Sequence, residues 1–572
     1  MSLTSLEQLE VKGADLKAAL AGIGDMRPGS LSETYGKCGK STCHCAKPGS
    51  RGHGPSWLLT RTVDGKTVAQ RIPSGPAVEQ SKQQVAEYKR FRELSRELIE
   101  ISDRICDLRL KDLEGAREVE TKKNAITASL QGEIAREIEE LFGSQALEEI
   151  DFEALETAMR RRALQLAARL LEQRFNRDHG DYQGSWLPCA CGRRARYVER
   201  RWKSFHSVVG ELKLERAYYY CWECERGFCP RDRALGMDAT SLSPAVVRMI
   251  GTVGAMVSFQ EGSDLLTELA GVAVDAKQVE RTAEDLGKEI AEDERVHTEP
   301  LDSLPLPQTL YLGMDGTGIP LRAEELVSRS GKQPDGSAKT GEVKLCTLWS
   351  AESLDEQGTP IRDEGSVTYS AALESASVLD TAAERSPFAQ RVWREATRRR
   401  FCQAPRRVVL GDGAVWIWNI ADDQFPDATQ IVDRYHAKQH LSDLGKALYG
   451  PINPRTAQWV ERRKEELDSG KFPVLLTAIR RQVPRSDEAR RCLHYFQTNR
   501  ERMRYPEFHA QGLCTSTGVV EAGCKVAIGT RLKRAGMHWS VRGSNAIIAL
   551  RCAKLSGRFQ DFWERRSESR AA

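Results

Sequence analysis

Apolar residues between positions 91 and 108 recur as Phe91, Leu94, Leu98, Ile101, Ile105 and Leu108. Steps of three and four predict one face of an amphipathic helix, an a/d stripe over nearly three heptads. Ile126, Leu130, Ile134, Ile138 and Leu141 make a second helical stripe, and 153–176 a third. The first stripe suits a dimerising coiled coil or an intramolecular helical hairpin, since three heptads are marginal alone. Upstream, Trp57-Leu58-Leu59 and Val68 flank Val63-Asp64-Gly65-Lys66, which predicts a β-hairpin on an Asp-Gly turn. Downstream, 243–295 reads as short helices separated by glycine. Within it, Asp275–Glu289 suits the second helix of a helix-turn-helix, or any three-helix subdomain equally.

From 309 the period changes to strands: Thr309–Met314, Val343–Ser350 and Ser366–Ser370. A helix at about 373–400, a strand at Val408–Leu410, a further helix and a strand at Thr429–Val432 follow. Residues 434 to about 510 are helical and charged, and 518–567 helical again. Three strands, helix, strand, helix, strand is the order of a ribonuclease-H-like sheet. The expected fold class is therefore multidomain α+β: a ribonuclease-H-like catalytic α/β core with an all-helical insertion, preceded by helical segments and a zinc ribbon. The expected divisions are a small β-containing Cys/Gly-rich module (1–80), a helical or coiled-coil dimerisation region (81–180), a zinc-ribbon-like module (181–236) and a helical, helix-turn-helix-like segment (237–303). After Leu304-Pro305-Leu306-Pro307, read as a linker, the core occupies 304–572 with its insertion at about 437–510.

Composition narrows the classes. The 572 residues are 40% hydrophobic and 29% charged, an ordinary globular mixture. That excludes a collagen-like repeat, a disordered acidic tail and a mini-protein, and a net charge of +4 excludes a histone-like polycation. The start carries no basic segment followed by an apolar run, so no secretory signal is read. The longest apolar stretch, Leu242–Phe259, contains Arg248 and two glycines, too interrupted for a membrane span. Fifteen cysteines, an odd and sparse number, suit reduced thiols with some on metal and hence a cytoplasmic location. Charge is uneven: residues 500–572 hold 14 basic and 6 acidic residues, a net of +8.

Two cysteine clusters stand out. Cys189-Ala-Cys191 and Cys221-Trp-Glu-Cys224 bracket the strand-like runs Ser204–Val209 and Glu211–Tyr220. Two Cys pairs at turns, joined by a stem of strands, predict a zinc ribbon, with Cys229 as a spare thiol. Its role is structural, because four thiolates leave no open position on Zn²⁺. Arg193, Arg194, Arg196, Arg200, Arg201 and Lys203, with Tyr197 and Trp202, make that ribbon basic and aromatic, which suits DNA phosphates or a plain solvated face. At the front, Cys38, Cys43, Cys45 and His53 are the candidate ligands of a second Zn²⁺, in an order that matches no common spacing.

Carboxylates mark the remaining chemistry. Asp315 follows Thr-Leu-Tyr-Leu-Gly-Met and Asp412 follows Val-Val-Leu-Gly, each with a glycine after it. An Asp at the end of a buried strand is costly without a donor or a cation. Alone each reads as a turn cap, but the first and fourth strands of a ribonuclease-H-like sheet are neighbours, so the two meet. Glu521, following Thr515-Ser516-Thr517-Gly518 as a helix cap, sits among small apolar residues and supplies a third carboxylate. Asp315, Asp412 and Glu521 then form a hard oxygen site for two Mg²⁺ (or Mn²⁺) ions, suited to in-line phosphoryl transfer. Asp433 and His436 end the next strand, as a metal or phosphate orienter or as a plain helix cap. Arg531, Lys533, Arg534 and Arg542 surround Trp539, giving phosphate contacts with a stacking ring, unless Trp539 is core.

These segments resemble the ISKra-type family of bacterial insertion-sequence DDE transposases, in the wider Mutator-like group. The likeness lies in MDGTGIP (314–320), GKQPDGSAKTGEVKL (331–345), GDGAVWIWNIAD (411–422), IVDRYHAKQHL (431–441), RMRYPEF (502–508) and GVVEAGCKVAIGTRLKRAGMHWSVRGSNAIIALRC (518–552), and covers 305–565. RPGSLSETYGKCGK (27–40) and RGHGPSWLLTR (51–61) are similar to the family as well. The resemblance implies a ribonuclease-H-like fold with a helical insertion, Asp315, Asp412 and Glu521 as the DDE triad, and Asp433 and His436 as an Asp-x-x-His signature. It implies double-stranded DNA partners, terminal inverted repeats and target, with cleavage and 3′-end joining by a homodimer or higher oligomer at the bacterial nucleoid. The alternatives are a structure-selective nuclease on the same fold and a domesticated DNA-binding regulator.

Overall fold

A computed structural model of the chain describes residues 6–141, 151–238, 240–300, 306–327, 338–356, 358–377 and 384–571. Residues 301–305, 328–337 and 378–383 lie outside it, and with them most of the 304–307 linker, part of the 331–345 string and part of the helix expected at 373–400. The chain forms two compact units, Met1–Leu155 and Glu156–Ala572.

In the first unit, α1 (Leu6–Ala21) precedes three antiparallel strands in the order β1 (Ser30–Gly36), β2 (His53–Val63), β3 (Lys66–Ile72), and the long helix α2 (Pro76–Leu141) follows. The expected hairpin is present: Asp64 and Gly65 sit at φ 47° and 76° between β2 and β3, the left-handed pair that a tight turn of this kind requires. Leu59 and Ile72 on the sheet pack with Val78 and Val85. α2 begins at Pro76, ahead of position 81, because proline costs nothing in a first helical turn. Its heptad stripe is covered by α1: Leu9 and Leu16 pack on Ile101, flanked by Leu94, Leu98, Ile105 and Leu108. Lys12–Glu97 and Arg109–Glu10 ion pairs, each 2.6 Å, edge that seam. Within the chain the stripe is thus packed against a second helix.

The second unit is entered along α3 (Phe152–Arg177). A four-stranded antiparallel sheet follows, ordered β4 (Trp186–Pro188), β5 (Arg194–Ser207), β6 (Gly210–Cys221), β7 (Arg226–Phe228). Then come the short α4 (Pro230–Ala234), α5 (Pro244–Met256), α6 (Phe259–Ala270) and α7 (Ala276–Val296).

The central sheet comprises β8 (Thr309–Pro320), β9 (Thr340–Ser350) and β12 (Thr368–Ala372), with a two-residue ribbon β10 (Ser353–Leu354) and β11 (Pro360–Ile361) between the last two. After α8 (Pro387–Arg398) come β13 (Arg406–Gly411), α9 (Val415–Gln424) and β14 (Thr429–Val432). The strand order is β12-β9-β8-β13-β14. β12 and β8 run antiparallel to β9, whereas β8, β13 and β14 are mutually parallel. Parallel strands need crossovers, supplied by α8 and α9, and a sheet covered on both faces reads as the near-continuous apolar runs seen in the sequence.

Five helices follow: α10 (Arg434–Tyr449), α11 (Pro454–Asp468), α12 (Phe472–Arg480), α13 (Asp487–Thr498) and α14 (Tyr505–Ala510). α15 (Gly518–Gly523) runs through a π-helical turn at Cys524–Gly529 into α16 (Thr530–Leu532), ahead of α17 (Val541–Leu555) and α18 (Phe559–Ala571). One hydrophobic core joins α5, α6 and α7 to the sheet and to α17. A Cβ on Gly287 of α7 would lie 2.1 Å from the Ala546 carbonyl oxygen of α17. The 237–303 helices, read as a helix-turn-helix or an ordinary helical subdomain, thus pack as a layer of this core. Among buried groups, Arg558 bonds Glu294 at 3.0 Å and Glu395 at 2.9 Å, and Arg398 bonds Glu395 at 3.1 Å, tying α7 and α8 to the residue before α18. No helix among the described residues is long and apolar enough to cross a membrane.

Candidate functional site

Three aspartates stand side by side where the parallel pairing of β8, β13 and β14 ends. β13 and β14 stop there, whereas β8 runs on past Asp315 to Pro320 against β9, so Asp315 lies within its strand and not at the expected strand end. Leu410 pairs with Gly313, so Asp412 and Asp315 each lie two residues further along adjacent strands. Gly411 pairs with Val432, so Asp412 and Asp433 each lie one residue beyond. Sheet register therefore places all three carboxylates at one edge, where parallel strands of an open sheet end and ligands bind.

Their surroundings differ. Asp315 is half-buried; its Oδ1 accepts its neighbour Gly316's N–H at 2.6 Å, and its Oδ2 accepts the Cys524 thiol at 3.3 Å. Burial, and secondarily the negative charge of Asp412, push its carboxyl above the usual range against those two hydrogen bonds. The Cys524 thiol is pushed up in turn by burial and by Asp315. Asp412 Oδ1 accepts the Ala414 N–H at 2.8 Å, and its carbonyl accepts the Tyr495 hydroxyl at 2.8 Å. Gly413, at φ 103°, is required here: a Cβ would lie 2.5 Å from the Tyr495 ring. That ring lies over His440 with centroids 3.9 Å apart. Burial and then the neighbouring His436 lower the His440 pKa.

Asp433 is buried and fully engaged. Oδ1 caps α10 by accepting the His436 N–H at 2.6 Å; Oδ2 accepts the Thr517 hydroxyl at 2.6 Å and the Thr517 N–H. The sequence suggested that Thr515–Gly518 would cap the helix of Glu521. Instead Thr517 spends its hydroxyl on Asp433, with a longer contact of 3.5 Å to Glu521 Oε1. This tie sets Glu521 beside the strand ends.

One ligand atom each from Asp433, His436 and Glu521 fall within 4.8 Å of one another. Asp315 and Asp412 complete no such three-residue group among the described residues, although each stands in the other's field. Carboxylate oxygens are hard donors and an imidazole nitrogen a borderline one, and two half-buried aspartates side by side favour a cation near them, so the residues fit a divalent ion.

Both cysteine clusters converge, the ribbon pairs as their spacing suggested and the N-terminal set despite an order that matches no common spacing. Cys189 and Cys191 lie at the turn between β4 and β5, Cys221 and Cys224 at the turn between β6 and β7. Sγ–Sγ separations are 3.6 Å for Cys189–Cys224 and 3.7 Å for Cys191–Cys221, and all four sulfurs are within 4.8 Å. The stem β5–β6 starts at Arg194, ten residues ahead of the expected Ser204, because its arginines hide the alternation of apolar positions. A backbone hydrogen bond from Cys191 pulls Cys189 down to about 7, while burial pushes Cys224 up to about 12. Cys229 stays apart, beside Arg216. Cys38, Cys43, Cys45 and His53 also converge within 4.8 Å; Cys38 and Cys45 are 3.5 Å apart, and Cys43 lies 2.9 Å from His53 Nε2. The backbone of Lys40 and hydrogen bonds from Cys45 and His53 bring Cys38 down to about 6. Three thiols and an imidazole could hold a structural zinc.

The basic residues divide. Arg193, Arg194 and Arg196 are exposed on the ribbon, and Lys533, Arg534 and Arg542 are exposed near the C-terminal helices. Lys533 bonds Thr317 and Arg534 pairs with Glu261. Arg531 is wholly buried, donating to the Gly254 carbonyl at 3.0 Å and lying over Phe259 and Trp539. Trp539 is buried with its indole N–H on the Leu532 carbonyl at 3.0 Å. Arg531 is therefore a core residue, which corrects its expected place on a DNA-facing surface, and Trp539 takes the core place that was the second of its two readings. Cys524 and Tyr495 were not singled out from the sequence, and Thr517 was read only as part of a helix cap. Only Cys524 left a signal, one helical turn after Glu521.

Residues 399–567 match the profile of an uncharacterised protein family (UPF0236), and residues 6–81 that of a domain of unknown function (DUF6788). No curated protein matches. Among solved structures, the Drosophila P element transposase strand transfer complex is similar at 10% identity and a TM-score of 0.21, over 60% of this chain and 86% of that one. A score that low carries no argument about fold or activity.

Proposed function

We propose that this chain is a DNA transposase of an ISKra-type insertion sequence, built on a ribonuclease-H-like core with Asp315, Asp412 and Glu521 as its DDE triad. The observation that carries the reading is the register of β8 and β13, which sets Asp315 and Asp412 side by side where their parallel pairing ends, with the Glu521 helix beside them. The strand order β12-β9-β8-β13-β14, followed by helices α10–α14 before the third carboxylate, supports it. So does the match to UPF0236, a family associated with transposase-like proteins.

In this reading Asp315, Asp412 and Glu521 hold two Mg²⁺ ions, which when bound neutralise a phosphate and activate water or a 3′-hydroxyl. Asp433 acts through Thr517, fixing the Glu521 helix against the strand ends. Tyr495 fixes the Asp412 loop from the helical insertion. His436, half-exposed at the same edge, is placed to donate to a phosphate oxygen. The substrates are terminal inverted repeats and target DNA, and the two zinc clusters are structural. The working form is a homodimer or higher oligomer.

The test is a donor DNA with flanking inverted repeats, incubated with the full chain, Mg²⁺ and a target plasmid. Joined products are expected. Cleavage without joining points to a nuclease on the same fold, and binding without cleavage overturns both. Asp315→Ala and Asp412→Ala each abolish cleavage while retaining DNA binding by gel shift; activity in either refutes the triad.

A further inference from the structure

The outer face of the β4–β7 sheet carries side chains that the proposed phosphoryl-transfer site does not use. Residues directly opposite in antiparallel strands share a face. Trp186 is opposite Arg196, and Arg196 is opposite Tyr220, so the three residues share one face across three neighbouring strands. Trp222 meets Tyr220 edge-on with centroids 5.1 Å apart. Two residues back along β6, Tyr218 is covered by the Arg201 guanidinium at 3.7 Å. Gly227 of β7 leaves room for that tyrosine, since a Cβ there would lie 1.9 Å from its hydroxyl.

The opposite face near these strands is packed, with Ala195, Ala217 and Tyr219 buried and Tyr197 against them. Trp202 pairs with Glu215, whose alternation with Ala217 and Tyr219 puts it on that other face. The sequence pointed to Tyr197 and Trp202 as the ribbon's aromatics; the outer rings are instead Trp186, Tyr220 and Trp222.

The indoles of Trp186 and Trp222 are 53% and 59% exposed. Arg193, Arg194 and Arg196 make no ion pair among the described residues. Large rings held in water keep apolar area exposed that a partner would cover, and guanidiniums without carboxylates leave positive charge complementary to a polyanion. A duplex offers phosphates but hides its base faces within the stack. Unpaired nucleotides offer both phosphates and π-faces, which rings interleaved with arginines recognise without regard to sequence.

We propose that this face binds single-stranded nucleic acid, with Trp186 and Trp222 stacking on unpaired bases and Arg194 and Arg196 holding the phosphates between them. The proposal deepens the nucleic-acid reading of the chain and rests on it for the kind of polymer. Its test needs no chemistry, so the two can fail separately.

Fluorescence anisotropy of a labelled oligothymidylate of about 15 nucleotides, and of a duplex of matched length, is measured with the full chain, with Asp412→Ala, and with a Trp186→Ala/Trp222→Ala variant. The expected result is oligothymidylate binding unchanged by Asp412→Ala and weakened about tenfold or more by the double variant, with duplex binding changed less than about twofold. Trp186→Phe/Trp222→Phe, which keeps the π-faces, restores most of the affinity. Zinc content equal to wild type establishes that the ribbon is folded. Equal loss on duplex and single strand, or no loss on either, overturns the proposal. So does a change from dimer to monomer in the double variant, which would assign the face to a second copy of the chain.

Discussion

At the scale of single residues, the decisive contacts are those that join distant parts of the chain to the strand ends. Thr517 gives both its N–H and its hydroxyl to Asp433. Thr517→Val removes one charge-assisted hydrogen bond from a buried carboxylate. The expected cost is about 1.5–3 kcal/mol in denaturant unfolding, with slower cleavage at unchanged DNA affinity. Thr517→Ser, which keeps the hydroxyl, recovers the rate, an outcome that loss of packing alone does not give. Asp363 offers a pH test away from the site. Burial raises its pKa, but hydrogen bonds from Ser350, Ser353 and the Glu352 backbone outweigh that and hold it at about 2. A carboxyl depressed below its unfolded value of about 3.9 stabilises the fold above that pH, and the contribution fades as pH falls toward 2. The melting-temperature gap between wild type and Asp363→Asn should therefore be full at neutral pH and close through that window. Asp315 and Asp412 were legible because an apolar run ending in Asp-Gly has few bland explanations in pairs. Tyr495 was not, and Thr517 was read only as a cap, since a hydrogen bond across the fold leaves no local pattern.

At the scale of elements, close approach governs. A Cβ on Gly313 of β8 would lie 2.1 Å from Val520 Cγ2 and 3.0 Å from the Trp349 ring. Gly313→Ala should push away α15, which carries Glu521, at a cost of about 1–3 kcal/mol and with a loss of cleavage larger than the loss of stability suggests. A Gly313→Ala/Val520→Ala pair should recover activity, read as a coupling energy in a double-mutant cycle. The π-helical turn directly after α15 is the kind of local irregularity that accompanies functional sites. Element types were readable where one face meets a core: the hairpin on Asp64-Gly65, the stripe of α2, the apolar strands of the central sheet. β5 was shortened in the reading because Arg and Lys occupy its exposed positions. The partner of the α2 stripe, α1, carries Leu6, Leu9, Leu16 and Leu20 at helical spacing, but Gly13 stands in the stripe and the segment was read with the Gly-rich β-containing module.

At the scale of the whole molecule, one buried ionic knot holds three elements. Arg558→Ala should destabilise by about 3–5 kcal/mol in thermal or denaturant unfolding, because Glu395 and Glu294 then keep buried charges without their cation. The same core explains why the 237–303 helices do not stand apart: their apolar faces meet α17 and the sheet. The sequence alone could not reveal this, because amphipathic helices look alike whatever they cover.

α17 has ten of its fifteen residues buried, from Gly543 to Ala553, between α7 and the β12 side of the sheet. It is made long after both of the layers it separates. On the ribosome, the strands that carry Asp315 and Asp412 are synthesised well before the helix that closes their core. The nascent chain spends that interval with an uncovered apolar sheet, a natural client for chaperones, and any stalled or truncated product lacking α17 is expected in the insoluble fraction.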